Sequence, residues 1–278
     1  MTLLVLLVVS FGLLFWRVIA DLVLDWIRDD NYSHGFLIVP LSLYLAWERR
    51  TRFLETEQRP TMIGVFLVIT SILVTTQDMH PFINRMAMLL CLGGMLLFLC
   101  GWKRLRVMTF PLAFLLLMIP IPAILFNQIA FPLQLLASQF GEWTLSACQV
   151  PVLREGNVIQ LANTSLEVAE ACSGIRSLIS LVTLGIAYGY FAESRIWARV
   201  ILAFAAIPIA IAANAIRVAG TGLAAHFYGA DAAQGFFHSF SGWLVFLVAF
   251  VFLFMLHRLM MSSAANQRQS PKRSAEAT

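Results

Sequence analysis

The chain has 278 residues, 60% hydrophobic and only 12% charged, with a formal charge of +4 and a pI near 9.1. Several apolar runs approach the roughly 20 residues that cross a bilayer's hydrocarbon core, so the chain reads as a polytopic membrane protein and not as a soluble globular domain. The basic residues form short clusters between those runs, a pattern that reports membrane orientation and argues against nucleic acid as a partner.

Eight spans are expected, at about 3–24, 33–47, 61–77, 86–101, 107–126, 174–191, 199–222 and 237–257. The first lacks a basic n-region and a clear small-residue cleavage site, so it reads as a retained helix rather than a signal peptide. The second is the shortest and contains Pro40, but Tyr32 and Trp47 bracket it as interfacial aromatics do. Alternate loops carry thirteen basic residues: Arg49, Arg50, Arg52 and Arg59; Lys103, Arg104 and Arg106; Arg195 and Arg199; Arg258, Arg268, Lys272 and Arg273. The opposite loops hold three, Arg28, Arg85 and Arg154, which predicts that both termini are cytoplasmic.

Residues 127–172 are expected to form an extracytoplasmic insertion. Asn127, Gln134, Ser138, Glu142, Ser146 and Gln149 fall three, four or seven apart, which predicts an amphipathic helix lying on the outer surface. Val158 to Leu161 and Leu166 to Val168 then flank a polar turn and predict a β-hairpin. The expected fold is therefore all-α and polytopic, with a transmembrane domain over 1–265, this small insertion, and a disordered cytoplasmic tail over 266–278.

Of four cysteines, Cys91 and Cys100 lie in an apolar helix and Cys148 and Cys172 in or beside the insertion. The chain has no CxxC pair, which argues against a metal site or a dithiol redox centre, and no metal or organic cofactor is implied. Cys172 stands before Ser173, a good N-cap residue, where a polar segment meets the sixth span, so its thiol would face the positive end of a helix. Such placement lowers a thiol pKa and favours the nucleophilic thiolate. A small buried hydrophobe, or a disulfide to Cys148, is the alternative.

Arg217 lies 18 residues beyond Arg199, about 27 Å along a helix, so the seventh span delivers it near the outer interface. A cation inside a span is a functional candidate; snorkelling to headgroups is the simpler reading. Asn214 shares its helix face and can orient the guanidinium or a substrate amide, or only pack helices. His238 opens the eighth span from the outer side and is the best-placed general acid or base; His34, His80 and His226 compete, and His257 falls at the other end. Arg176 follows Cys172 by four residues, on the same face of the expected helix, where it can lower the thiol pKa, bind a carboxylate, or pair with Glu167 or Glu170.

Five segments in order carry a resemblance: Tyr32-Ser33-His34-Gly35-Phe36, Met118-Ile119-Pro120-Ile121-Pro122, Ala171-Cys172-Ser173-Gly174-Ile175-Arg176, Asn214-Ala215-Ile216-Arg217-Val218 and His238-Ser239-Phe240-Ser241-Gly242. Over nearly its whole length the chain resembles the exosortases, bacterial membrane cysteine transpeptidases, and is most similar to the exosortase A type of exopolysaccharide-producing Gram-negative bacteria. The resemblance implies a catalytic set of Cys172, Arg217 and His238. It also implies substrates that are exported proteins ending in a Pro-Glu-Pro motif, a transmembrane helix and a basic tail (the PEP-CTERM signal), and an inner-membrane enzyme with its site at the periplasmic face. Arg176 and Asn214 are then candidates for substrate binding.

Two rival functions fit the same residues. A simple intramembrane cysteine protease would differ only in using water to resolve the thioester, and a non-catalytic assembly factor for exopolysaccharide export would tolerate loss of Cys172. A transporter fits less well, since transporters place charged groups near the midplane of two related halves and no internal repeat is visible here.

Overall fold

The computed structural model describes residues 2–77, 79–162, 165–168, 174–229 and 236–275; side chains at 3, 4, 166, 236–241 and 263–275 lie outside the described ones. The chain is an all-α polytopic membrane protein with one small antiparallel sheet. It divides into two compact units, Met1–Ala123 and Ile124–Thr278.

Unit 1 contains α1 (Thr2–Arg28), α2 (Gly35–Glu48), α3 (Arg50–Glu55), α4 (Ile63–Thr76) and α5 (Pro81–Phe114). Phe15, Val18, Leu22 and Trp26, three and four apart, form the buried stripe of α1, while Val5, Leu6, Val9 and Leu13 stay exposed, as lipid contact requires. α4 crosses α5 at glycine: a Cβ on Gly94 would stand 3.1 Å from the Gly64 carbonyl oxygen, a backbone approach that only small residues allow.

Two of the marked segments hold each other. Pro120 and Pro122 cannot continue a helix, so the turn at Leu115–Met118 leaves carbonyls without helical donors. Trp26 Nε1 donates to the Met118 carbonyl at 2.9 Å, the Tyr32 hydroxyl to that of Ile121 at 3.4 Å, and His34 Nε2 lies 3.2 Å from that of Leu117. Gly35 has no side chain because the Trp26 ring occupies that space. Nearby, Arg85, only 5% exposed, pairs with Asp25 at 2.6 Å.

α5 breaks at Gly101, whose φ of +80° interrupts the helix between the expected fourth and fifth spans. A Cβ at Gly101 would collide with the Arg59 carbonyl. The carbonyls freed by the break are capped from the preceding loop: Arg59 N–H donates to Cys100 at 3.3 Å and Gln58 Nε2 to Leu99 at 2.8 Å.

Unit 2 contains α6 (Ala123–Ala147), strands β1 (Val152–Glu155), β2 (Val158–Leu161) and β3 (Ser165–Glu167), then α7 (Ile175–Ala192), α8 (Ile196–Tyr228) and α9 (Phe236–Ala275). The expected hairpin is β2–β3, paired Val158 to Glu167 and Gln160 to Ser165. β1 joins it on the other edge through a turn in which Gly156 has φ +64°. Leu145, Val150, Ile159, Leu161, Val168, Val218 and Ala225 form one core here, and Leu181, Leu202, Ala206, Ala210, Ala249 and Leu253 form another between α7, α8 and α9.

Three features differ from expectation. Among the described residues six helices are long and apolar enough to cross a membrane, not eight. α2 and α4 have 14 residues each, short of the roughly 20 needed for an upright span. The expected fourth and fifth spans form one element broken at Gly101, and α6 joins the set. The polar stripe of α6 divides: Gln134 and Ser138 are buried, with the Ser138 hydroxyl donating to the Gly156 carbonyl at 3.0 Å, while Asn127 and Ser146 are exposed, as are the apolar Ile124, Leu125, Phe131 and Trp143. Around Gln134 and Ser138, polar groups inward and apolar groups outward suit lipid contact. Finally, α9 runs to Ala275 through residues expected to be disordered, a stretch with Gln, Arg and Lys and without glycine, although it contains Pro271.

The loop joining α7 to α8 is closed by Glu193. Its carboxylate accepts from the N–H groups of Ser194 at 2.9 Å and Arg195 at 3.1 Å, and its Oε2 lies 3.8 Å from His257 Nε2. The Tyr188 hydroxyl meets His257 Nδ1 at 2.7 Å, tying α7 to α9. The Arg195 N–H is the largest cause, followed by that of Ser194, that holds the Glu193 pKa below its ordinary value against desolvation. A depressed folded-state value gives a contribution complete above the unfolded carboxylate range, about 4.3, and lost as pH falls through the folded value. Thermal melting on acidification through that window should therefore fall more steeply for the native chain than for Glu193→Gln; parallel profiles would contradict this role.

Candidate functional site

α8 supplies the frame. Its inner face is almost all alanine and glycine, with Ala198, Ala206, Ala210, Ala215, Ala219, Gly222 and Ala225 buried, so neighbouring elements approach closely. Gly222 packs on Leu145, and Val218 on the face of α6 at Gly141. Its 33 residues extend about 50 Å, more than the roughly 30 Å hydrocarbon core. Arg217 lies about 32 Å from the first residue, near the far interface for an upright helix.

Asn214, 3% exposed, and Arg217 lie one turn apart on α8, and each meets a glycine from another element. Gly174 sits at the N-terminal cap of α7 with φ +78°, and a Cβ there would lie 2.6 Å from Asn214 Cγ. Only glycine combines that left-handed backbone with so close an approach. On the other side the Arg217 guanidinium rests against α9 at Gly242, where a Cβ would stand 3.4 Å from Nη2.

Cys172 lies outside the described residues, two positions before Gly174. Position 238 is in α9, four residues before Gly242 and so on the same helical face, but the His238 side chain lies outside the described ones. The alternative orienting residues Glu170 and Asp231 also lie outside. The described residues thus bring Gly174, Asn214, Arg217 and Gly242 together, and the chain on either side of this group carries the predicted thiol and imidazole.

Other expectations change. α7 begins at Ile175 with Gly174 at the cap, one residue later than a Ser173 cap implied, and the expected relation between 172 and 176 lies outside the described residues. Arg176 is exposed in the first turn of α7. Cys148, the partner in the alternative disulfide, is a free and exposed thiol. The rival histidines have structural contacts: His34 with the Leu117 carbonyl, His80 accepting from the Phe82 N–H as the cap of α5, His226 edge-on to Phe227 and His257 with Tyr188.

Sequence reasoning passed over Gly174 and Gly242 as spacers within the marked segments. Their signal was local: a glycine two residues after the thiol at a helix start, and one a helical turn after the histidine. Gly174→Ala should cost roughly 1–2 kcal/mol in backbone strain and push Asn214 aside. A shift of about 1 Å at a reacting centre can cost about 100-fold in turnover. In an assay of the activity that the resemblance implies, with the melting midpoint recorded alongside, that loss is the expected result; a native rate would contradict it.

A family model described as transmembrane exosortase matches residues 26–255. Comparison with curated proteins and with solved structures gives no match. The matched stretch starts within α1, ends within α9 and includes all five marked segments.

Proposed function

Because the chain belongs to the transmembrane exosortase family, we propose that it is a membrane-embedded cysteine transpeptidase or protease acting on the C-terminal sorting signal of exported proteins. The observation that carries this reading is the double glycine contact on α8. Gly174, two residues after Cys172 in sequence, lies against Asn214, and Gly242, four residues after His238 in sequence, lies against Arg217 one turn further along α8.

In this reading the Cys172 thiolate attacks a backbone carbonyl carbon in or beside the Pro-Glu-Pro motif, and a tetrahedral oxyanion forms. Arg217 stabilises that oxyanion, an effect strengthened where water is scarce. The C–N bond breaks, His238 protonates the leaving amine, and the signal's transmembrane tail departs, leaving a thioester on Cys172. His238 then takes a proton from the acceptor, water or an amine, as it resolves the thioester. Asn214 positions the guanidinium or a substrate amide, and Arg176, exposed at the start of α7, is suited to the motif's glutamate. The substrate's helix would stand in the inner membrane with its basic end cytoplasmic, presenting the motif at the periplasmic face.

The test is coexpression of the chain with an epitope-tagged exported protein bearing a Pro-Glu-Pro tail, read by blot. Shortening that requires Cys172 supports the reading. Equal processing by wild type and Cys172→Ala, or none by either despite confirmed expression, would favour a non-catalytic assembly role.

A further inference from the structure

Arg49, Arg52, Thr56, Lys103, Arg106 and Val107 line a cleft of about 320 Å³ in unit 1. Two helical faces build it: Arg49, Arg52 and Thr56 are spaced three and four apart across the end of α2 and α3, and Lys103, Arg106 and Val107 follow the Gly101 break in α5. Among the described residues the lining contains four cations and no carboxylate. Like charges gathered around one cleft repel one another unless an anion joins them.

The cations are not loosely assembled. Pro111 has no N–H, so the Val107 carbonyl lacks its helical donor, and Arg49 Nη1 supplies one at 2.6 Å while its guanidinium carbon lies 5.5 Å from the Phe110 ring centre. Lys103 is held at 2.7 Å by Glu57, which Arg59 engages from the other side at 2.6 Å. Arg52 and Arg106 are exposed.

We propose that this cleft binds a phosphate-bearing anion, held by Arg49, Arg52, Lys103 and Arg106. Guanidinium groups suit the geometry of phosphate oxygens and the lysine adds a compact charge. The surroundings favour a phospholipid headgroup as the source. Trp47 and Trp102, 58% and 50% exposed, flank the cleft in sequence as interfacial aromatics do, and two of the basic clusters that set orientation supply its charges. Basic pockets beside membrane helices on the cytoplasmic side take anionic headgroups. The basic tail of a sorting signal is the wrong sign for it, so this site is independent of the proposed chemistry.

The purified full chain in neutral detergent would be titrated with phosphatidylglycerol, phosphatidylcholine and inorganic phosphate, with bound lipid counted by native mass spectrometry. Each Lys or Arg near an anionic surface changes affinity roughly fivefold, so Arg52→Gln with Arg106→Gln should weaken phosphatidylglycerol binding about 25-fold. The same charge loss at exposed Arg17 and Arg28 should leave it unchanged. Competition by inorganic phosphate on the native chain, which needs no variant to fold, is also expected. Phosphate binding without preference between the two lipids would support the anion site and assign its source to a soluble phosphate. Equal retention of both lipids with no phosphate effect, or undiminished phosphatidylglycerol binding by the folded double variant, would overturn the proposal.

Discussion

Replacing Cys172 with alanine is expected to lower processing of the proposed sorting-signal substrate on the order of 10⁴-fold or more, as loss of a covalent nucleophile does in acyl-transfer enzymes. The expectation rests on position. Cys172 is two residues from a glycine seated on Asn214, and Asn214 is one turn from Arg217. Cys148→Ala is the matched control, because that thiol is free and exposed, and it should leave the rate unchanged. If Cys148→Ala were equally damaging, a disulfide between the two would explain the result better than nucleophilic attack. Cys172→Ser separates chemistry from packing: it keeps the size of the side chain but provides a hydroxyl where a thiolate is needed, so it should be nearly as inactive as alanine.

Arg217→Lys is expected to lower turnover by about 10²- to 10³-fold, the usual loss when an oxyanion donor is removed. Charge is retained in that variant, but the planar fork that lies against Gly242 is lost. The kinetic pattern distinguishes the roles. An oxyanion donor acts in the transition state, so kcat should fall with little change in KM. A guanidinium that only snorkels to headgroups would be replaced well by lysine, which snorkels as readily. A lower melting midpoint with native turnover per folded molecule would identify a structural cation instead.

The sequence made the membrane class legible because apolar runs, loop charge and interfacial aromatics are additive signals that tolerate local error. Span limits were less so. Nothing in the run from Pro81 to Phe114 shows that Gln58 and Arg59 cap the carbonyls at a Gly101 break, since the capping groups lie more than forty positions away. The α6 stripe was found correctly as a stripe, but its middle, Gln134 and Ser138, turns inward rather than to solvent. Its polar residues satisfy a three-stranded sheet, and β1 was not visible in advance because its four residues end in the charged pair Arg154-Glu155. The marked segment around His34 carries part of the resemblance, and its Tyr32 and His34 side chains bond to the Ile121 and Leu117 carbonyls beside Pro120 and Pro122. Arg217 and Asn214 were legible because a cation and an amide inside an apolar helix are costly enough to require a reason. The glycines that bring other elements to them were not, because a missing side chain signals only what it allows.

The most direct test is intact-mass spectrometry of the purified chain after incubation with a synthetic Pro-Glu-Pro tail substrate. Acid quench of the native chain during turnover would trap the intermediate, with peptide mapping of any adduct. The account predicts a covalent acyl adduct on Cys172 that hydroxylamine removes and that Arg217→Lys forms far more slowly. Substrate cleavage with no adduct on Cys172, persisting in Cys172→Ala, would contradict it.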